Sequence, residues 1–306
     1  MKIAIIGRTE ILFDTVQILR QAGHSITCIL TNKEAPEYTK TTADFECLAS
    51  DLSIPFASTA QIKNVIAMLQ AADSDIGVSF NYAGLIPKEI TDLFPLGILN
   101  AHGGDLPRYR GNACQAWAIL NGEDKIGLSI HRMIGGELDS GDIIARDYLA
   151  IDHNTKVTDT WEWLNQRIPD LFLQAINQLS NDPSYILEIQ SNNPQDAYRC
   201  YPRMPEDGHI DWRQSALHVL RLINASNKPY AGAFCDYEGQ KFIIWDAELV
   251  GEFENFSAVS GQVTRIGDGF VEVACGEGKL RILSAEYAGQ VDTPNAWIKS
   301  IRKRLK

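Results

Sequence analysis

The chain has 306 residues, 45% of them hydrophobic and 22% charged, with a net charge of −11. That length allows two domains with cores of their own, needing neither disulfides nor metals. The acidic balance repels polyanions and argues against an extended nucleic-acid footprint, and no apolar run approaches the roughly 18 residues of a membrane span.

The opening MKIAIIGR lacks the long apolar core and cleavage site of a signal peptide. The cysteines, Cys28, Cys47, Cys114, Cys200, Cys235 and Cys275, form no CxxC pair and read as reduced thiols of a cytoplasmic protein. Residues 2–6 read as a strand. Residues 9–21 read as a helix in which Ile11, Leu12, Val16, Ile18 and Leu19 form one stripe, closed by Gly23. Strands are expected at 24–30, 76–80, 97–102 and 127–133, and helices at 41–50 and 59–69. This alternation predicts a Rossmann-like α/β domain with a mostly parallel sheet covered on both faces. The first strand is followed by Gly7, Arg8, Thr9 and Glu10 rather than G-x-G-x-x-G, so no nicotinamide site is expected.

Residues 158–179 read as a long helix that Pro169 can kink, and the polar, Pro-containing stretch 180–208 reads as a linker. After a helix at 214–225, short β runs at 232–237, 241–249, 261–265, 270–274 and 279–283 predict a small barrel-like (OB-like) domain. Residues 297–305 read as a closing helix. The expected division is 1–190 for the N-terminal catalytic domain and 205–306 for the C-terminal one.

The segment from 98 to 147 concentrates the chemistry. Asn100 and His102 alternate at the end of an apolar strand, so both project to one side. Asp139 lies in a Gly-Gly-Glu-Leu-Asp-Ser-Gly loop that can bring its carboxylate to the sheet end. Acyl transfer to an amine needs an oxyanion donor, a group that manages the amine's proton and a carboxylate that orients that group. Asn100, His102 and Asp139 supply one of each. Taken singly, a strand-end Asn reads as a turn residue and a Gly-flanked Asp as a turn cap. His131 reads as a packed or hydrogen-bonded core histidine, Asp105 as a loop charge and Asp142 as a strand-start cap. His102, His131 and Asp139 as metal ligands lack H-x₃-H or C-x₂-C spacing, so no metal is expected.

Taken together, the run Asn100-x-His102, Leu106-Pro107-Arg108-Tyr109-Arg110-Gly111, His131-Arg132-Met133 and Leu138-Asp139-Ser140-Gly141-Asp142-Ile143 resembles the signature of the folate-dependent formyltransferases. Asp211-Trp212, Lys228-Pro229-Tyr230-Ala231-Gly232-Ala233 and Gly239-Gln240-Lys241 extend the resemblance into the second domain. It implies 10-formyltetrahydrofolate as formyl donor, Asn100 as oxyanion donor, His102 as the catalytic histidine and Asp139 as the carboxylate that raises that histidine's pKa. It also implies a pterin held by Gly84, Leu85 and Ile86, by Gly135, Gly136, Glu137, Leu138 and Asp139, and by Asn112. Where many members have Ser-Leu, this chain has Gly104-Asp105.

Three acceptors occur in that family: methionyl-tRNA, glycinamide ribonucleotide and nucleotide-linked amino sugars. A tRNA enzyme needs a basic path, yet Lys33 and Lys40 are offset by Glu34 and Glu37, and only the tail (Lys299, Arg302, Lys303, Arg304, Lys306) is strongly basic. Residues 109–117 and 229–233 resemble the sugar N-formyltransferases more closely, and Arg8 and Tyr230 are candidate contacts to a small nucleotide-sugar substrate. The favoured reading is an amino-sugar N-formyltransferase with neither nucleic-acid nor membrane partner. Methionyl-tRNA formyltransferase is the alternative, and a non-catalytic folate-binding module is the alternative of another class. A homodimer is compatible with the sequence.

Overall fold

The computed structural model describes all residues except Glu37, Asn192 and 252–254. The elements in chain order are β1 (Lys2–Gly7), α1 (Glu10–Gln21), β2 (Ser25–Thr31), α2 (Thr42–Asp51), β3 (Phe56–Ser58), α3 (Ile66–Ala71), β4 (Ile76–Phe80), α4 (Lys88–Thr91) and β5 (Ile98–His102). Then come β6 (Arg110–Gly111), α5 (Cys114–Asn121), β7 (Lys125–Arg132), β8 (Ile143–Ala150), α6 (Val157–Asn181), β9 (Arg199–Cys200) and α7 (Ala216–Ala225). Strands β10 (Ala233–Tyr237), β11 (Gln240–Leu249), β12 (Val263–Gly267), β13 (Phe270–Ala274), β14 (Lys279–Tyr287) and β15 (Gln290–Asp292) complete the chain.

The chain forms two compact units that are interleaved in sequence. The first comprises Met1–Gly111, Gly127–Leu149 and Glu162–Cys200; the second comprises Asn112–Ile126, Ala150–Trp161 and Tyr201–Lys306. The expected division at 190 and 205 differs in that two short N-terminal stretches belong to the second unit.

In the first unit a seven-stranded sheet runs β3-β2-β1-β4-β5-β7-β8. Strands β3 to β5 are parallel, whereas β7 runs antiparallel to β5. β1 and β4 are buried along almost their whole length, as a sheet covered on both faces requires. Ile11, Leu12, Val16 and Leu19 of α1 are buried, and Thr9 caps that helix by accepting the Leu12 N–H. On the Ile6 and Leu30 face, Ile62, Leu69, Ile90, Phe94 and Ile98 complete a core.

The helix expected over 59–69 begins later, with a 3₁₀ turn at Ile62–Val65. Thr59 donates its N–H to the Thr31 carbonyl, continuing the β2–β3 pairing, and its hydroxyl accepts from Gln61 N–H, so residues 59–61 are a turn. α6 runs unbroken through Pro169. The expected linker is tied to the first unit as far as Cys200: Ile143 and Glu188 exchange backbone bonds, and β9 pairs in parallel with β6.

The second unit holds an antiparallel sheet in the order β10-β11-β14-β13-β12, with β15 beside β14. Val219, Leu220 and Ile223 of α7 join Phe242, Ile244, Val263, Val271, Val273, Leu280 and Ile282 in its core. The closing helix expected at 297–305 is not formed. Leu305 N–H donates to Gly261, Val263 N–H to Lys303, and Asp236 and Lys306 exchange backbone bonds. The tail's backbone is spent on neighbouring segments, and Ile298 and Leu305 are its buried anchors. All six cysteines are free thiols. No helix among the described residues is long and apolar enough to cross a membrane.

Candidate active site

The site is built where the parallel sheet turns antiparallel. β5 pairs with β7 in a register that sets Asn100 opposite His131 and His102 opposite Ser129. Directly paired residues share a face, so Asn100 meets His131 there, with Asn100 Nδ2 3.2 Å from His131 Nε2. His131 is 1% exposed, and its Nδ1 lies 3.0 Å from the Ser140 carbonyl. A carbonyl can only accept, so Nδ1 carries the hydrogen. Burial pushes the His131 pKa down to about 4, which keeps the ring neutral and leaves Nε2 to accept from the Asn100 amide. One Asn100 N–H is thereby used and the other stays available.

His102 is buried, with Nε2 2.6 Å from the Tyr109 carbonyl, to which it must donate. Its Nδ1 faces Asp139 Oδ2 at 3.6 Å, and Asp139 Oδ1 lies 4.0 Å from His131 Nε2. Asp139 Oδ2 also accepts the Gly111 N–H at 2.8 Å. Asp139 holds a left-handed φ of 48°, a conformation that Asp adopts more readily than most non-glycine residues. Gly104 leaves room for the His102–Tyr109 contact: a Cβ there would stand 2.3 Å from Tyr109 O and 2.5 Å from His102 Nε2. The departure from Ser at this position thus has a steric counterpart.

The two stretches expected to hold a pterin lie side by side. Gly136 N–H donates to the Ile86 carbonyl at 2.9 Å, and Gly135 sits so close to the Lys88 backbone that a Cβ would approach it to 2.3 Å. Leu85 and Ile134 are large apolar residues left exposed on these stretches. Asn112 is exposed and begins the second unit.

The other residues singled out in the sequence have surroundings of their own. Asp105 accepts from Arg146 and Tyr148, and the Asp142 carbonyl accepts the Arg132 N–H as β8 begins. Arg8, after β1, donates to the carbonyls of Asn81 and Lys33, with the Tyr38 ring 5.4 Å away. Tyr230 lies in the second unit, where it lines a cavity of about 290 Å³ with Arg203, Met204 and Pro229. Among the described residues no group of three or more His, Cys, Asp or Glu side chains is placed to hold a metal ion. His131 is the buried, hydrogen-bonded histidine that the sequence suggests, whereas the contacts of the Tyr109 carbonyl and of Gln190 were not expected. Only His131 carried a signal, its polarity within an apolar strand.

Comparison with known proteins defines the family. The chain belongs to the formyl transferase family, whose N-terminal domain matches residues 1–178 and whose C-terminal domain matches residues 203–302. Among solved structures it resembles WlaRD, a sugar 3N-formyltransferase crystallised with dTDP and 5-N-formyl-THF, at 19% identity and a TM-score of 0.68 over 92% of this chain and 97% of that one. An N-formyltransferase from Helicobacter canadensis, in complex with folinic acid and dTDP-3-aminofucose, matches at 16% identity and a TM-score of 0.69 over 92% and 99%. HypX from Aquifex aeolicus, in complex with tetrahydrofolic acid, matches at 16% and 0.64 over 98% of this chain. The chain spans only 47% of HypX, so that likeness concerns part of the larger protein. At these identities the likeness is one of fold.

Proposed function

We propose that the protein transfers a formyl group from 10-formyltetrahydrofolate to the amine of a nucleotide-linked amino sugar, with Asn100, His102 and Asp139 at the reacting centre. The observation that carries this reading is the convergence of an amide, an imidazole and a carboxylate at the end of β5, with His102 Nδ1 3.6 Å from Asp139. The folate supplies the formyl group. The residues present fit it: Gly84, Leu85 and Ile86 adjoin Gly135, Gly136, Glu137 and Leu138 through the bond from Gly136 N–H to the Ile86 carbonyl. Leu85 and Ile134 are exposed beside this backbone, which suits a flat heteroaromatic ring with hydrogen-bonding edges.

Asn100, held by His131, keeps one amide N–H for the negative charge that develops on the formyl oxygen as the amine's nitrogen bonds to the formyl carbon. His102 receives the proton that the amine sheds, and the Asp139 carboxylate stabilises the ring while it carries that charge. The proton passes on to the donor's nitrogen as the bond from that nitrogen to the formyl carbon breaks and tetrahydrofolate leaves. The available Asn100 N–H lowers the barrier only where that oxygen charge forms, which is how such a donor acts on rate rather than on ground-state binding.

The acceptor assignment is supported by the net charge of −11 and by full-length likeness to enzymes crystallised with dTDP or a dTDP-sugar. An acceptor screen with 10-formyltetrahydrofolate, read by mass spectrometry, tests it. A nucleotide sugar engages about two phosphate charges and predicts weak salt dependence, whereas tRNA predicts a steep log–log slope. Efficient formylation of methionyl-tRNA, with none on any amino-sugar nucleotide, overturns the acceptor. Transfer to no amine at all overturns the reaction.

A further inference from the structure

The loop that carries Asp139 is held at four consecutive carbonyls. Asp142 O accepts from Arg132 N–H at 2.9 Å and Ser140 O from His131 Nδ1 at 3.0 Å. The two others, Asp139 O at 3.2 Å and Gly141 O at 2.7 Å, both accept from one group, the Nε2 of Gln190. Gln190 comes from the stretch after α6 and is only 4% exposed. The Ile143–Glu188 bonding delivers it there. Its own Oε1 accepts from Arg110 Nη2 at 2.7 Å, and because a guanidinium can only donate, that contact fixes the amide with Nε2 toward the loop.

Arg110 precedes Gly111, whose N–H donates to the Asp139 carboxylate, and Arg110 N–H is itself held by Tyr198 O. Gln190 therefore grips both the loop that carries the carboxylate and the strand that binds it.

We propose that Gln190 is a positioning residue for formyl transfer, acting through Asp139 by fixing where its carboxylate stands relative to His102. The proposal rests on the role given to Asp139 above. Gln190→Met keeps the volume and removes both the donor and the acceptor. It should lower kcat by ~10²-fold, the scale of a misplacement of about 1 Å, with KM for donor and acceptor unchanged and the protein folded by circular dichroism. In an Asp139→Asn background the same substitution should cost nothing further, because the route it acts through is already cut. A residue serving packing alone would lower the melting temperature and leave kcat intact in the folded protein.

Wild-type kcat in Gln190→Met beside a damaged Asp139→Asn overturns this proposal and spares the reading of Asp139, as does an equal fractional loss in both backgrounds. Wild-type kcat in Asp139→Asn overturns both. If Gln190→Met does not fold, Gln190→Asn, with its amide one methylene short, carries the same comparison.

Discussion

The first unit has two places where a sheet of this kind can host chemistry, and they are built differently. One is the switch point between β1 and β4, where the strand order reverses and doubly wound folds commonly bind ligands. Its cation, Arg8, is bonded to two backbone carbonyls and ties the stretches after β2 and β4 to the end of β1. The other lies between β5 and β7, where the sheet turns antiparallel and cross-strand register sets Asn100 against His131. Parallel neighbours contribute only strand ends to a crevice. An antiparallel neighbour contributes a side chain at a fixed height, and a loop returning from its far end brings Asp139 back to the same point.

The sharpest way to break this comparison is at His102. His102→Asn should lower turnover by ~10²–10⁴ while folate binding survives, measured by single-turnover kinetics and donor titration. Near-normal turnover would move the chemistry away from β5. Gly104→Ala comes next: the added Cβ must displace either the Tyr109 carbonyl or the His102 ring, and we expect kcat to fall by about 10-fold with the fold retained.

Arg8→Met supplies the contrast, with expected effects on the melting temperature and on hydrogen exchange around Lys33 and Asn81 rather than on kcat. A loss of kcat as deep as that of His102→Asn would make the switch point part of the catalytic centre. The smallest effect is a pH signature at His131. Its folded pKa of about 4 lies below the unfolded value near 6.5, so between these the unfolded chain takes up a proton that the folded one refuses. Stability should therefore decline as pH falls through that window, and the decline should be shallower in His131→Gln, as read from melting temperatures at several pH values.

Much of this was legible in the sequence. Residues 76–80 and 270–274 match β4 and β13, because their apolar runs have no competing pattern. The grouping of Asn100, His102 and Asp139 was legible because the motifs that contain them resemble one family's signature, and His102 Nδ1 does lie 3.6 Å from Asp139. Long-range pairing was not legible. The tail reads as helical from its residue types, but its backbone bonds Gly261, Val263 and Asp236 instead. Gln190 sits in a stretch whose polarity and prolines announce a linker; only the bonding of Ile143 to Glu188 reveals that it reaches Asp139. Tyr109 acts through its carbonyl, a group every residue possesses and no sequence pattern marks.

The grip of Gln190 on the loop also orders events during synthesis. All seven strands of the first unit's sheet leave the ribosome before residue 190, and chains emerge at ~5–20 residues per second. The sheet can therefore pair while the loop bearing Asp139 still lacks two of its four carbonyl clamps. A nascent chain halted after α6 carries the strands that place Asn100, His102 and His131 but not the group that fixes the carboxylate beside them. In this protein the framework of the site is translated first and its final alignment waits for a residue that arrives fifty positions later.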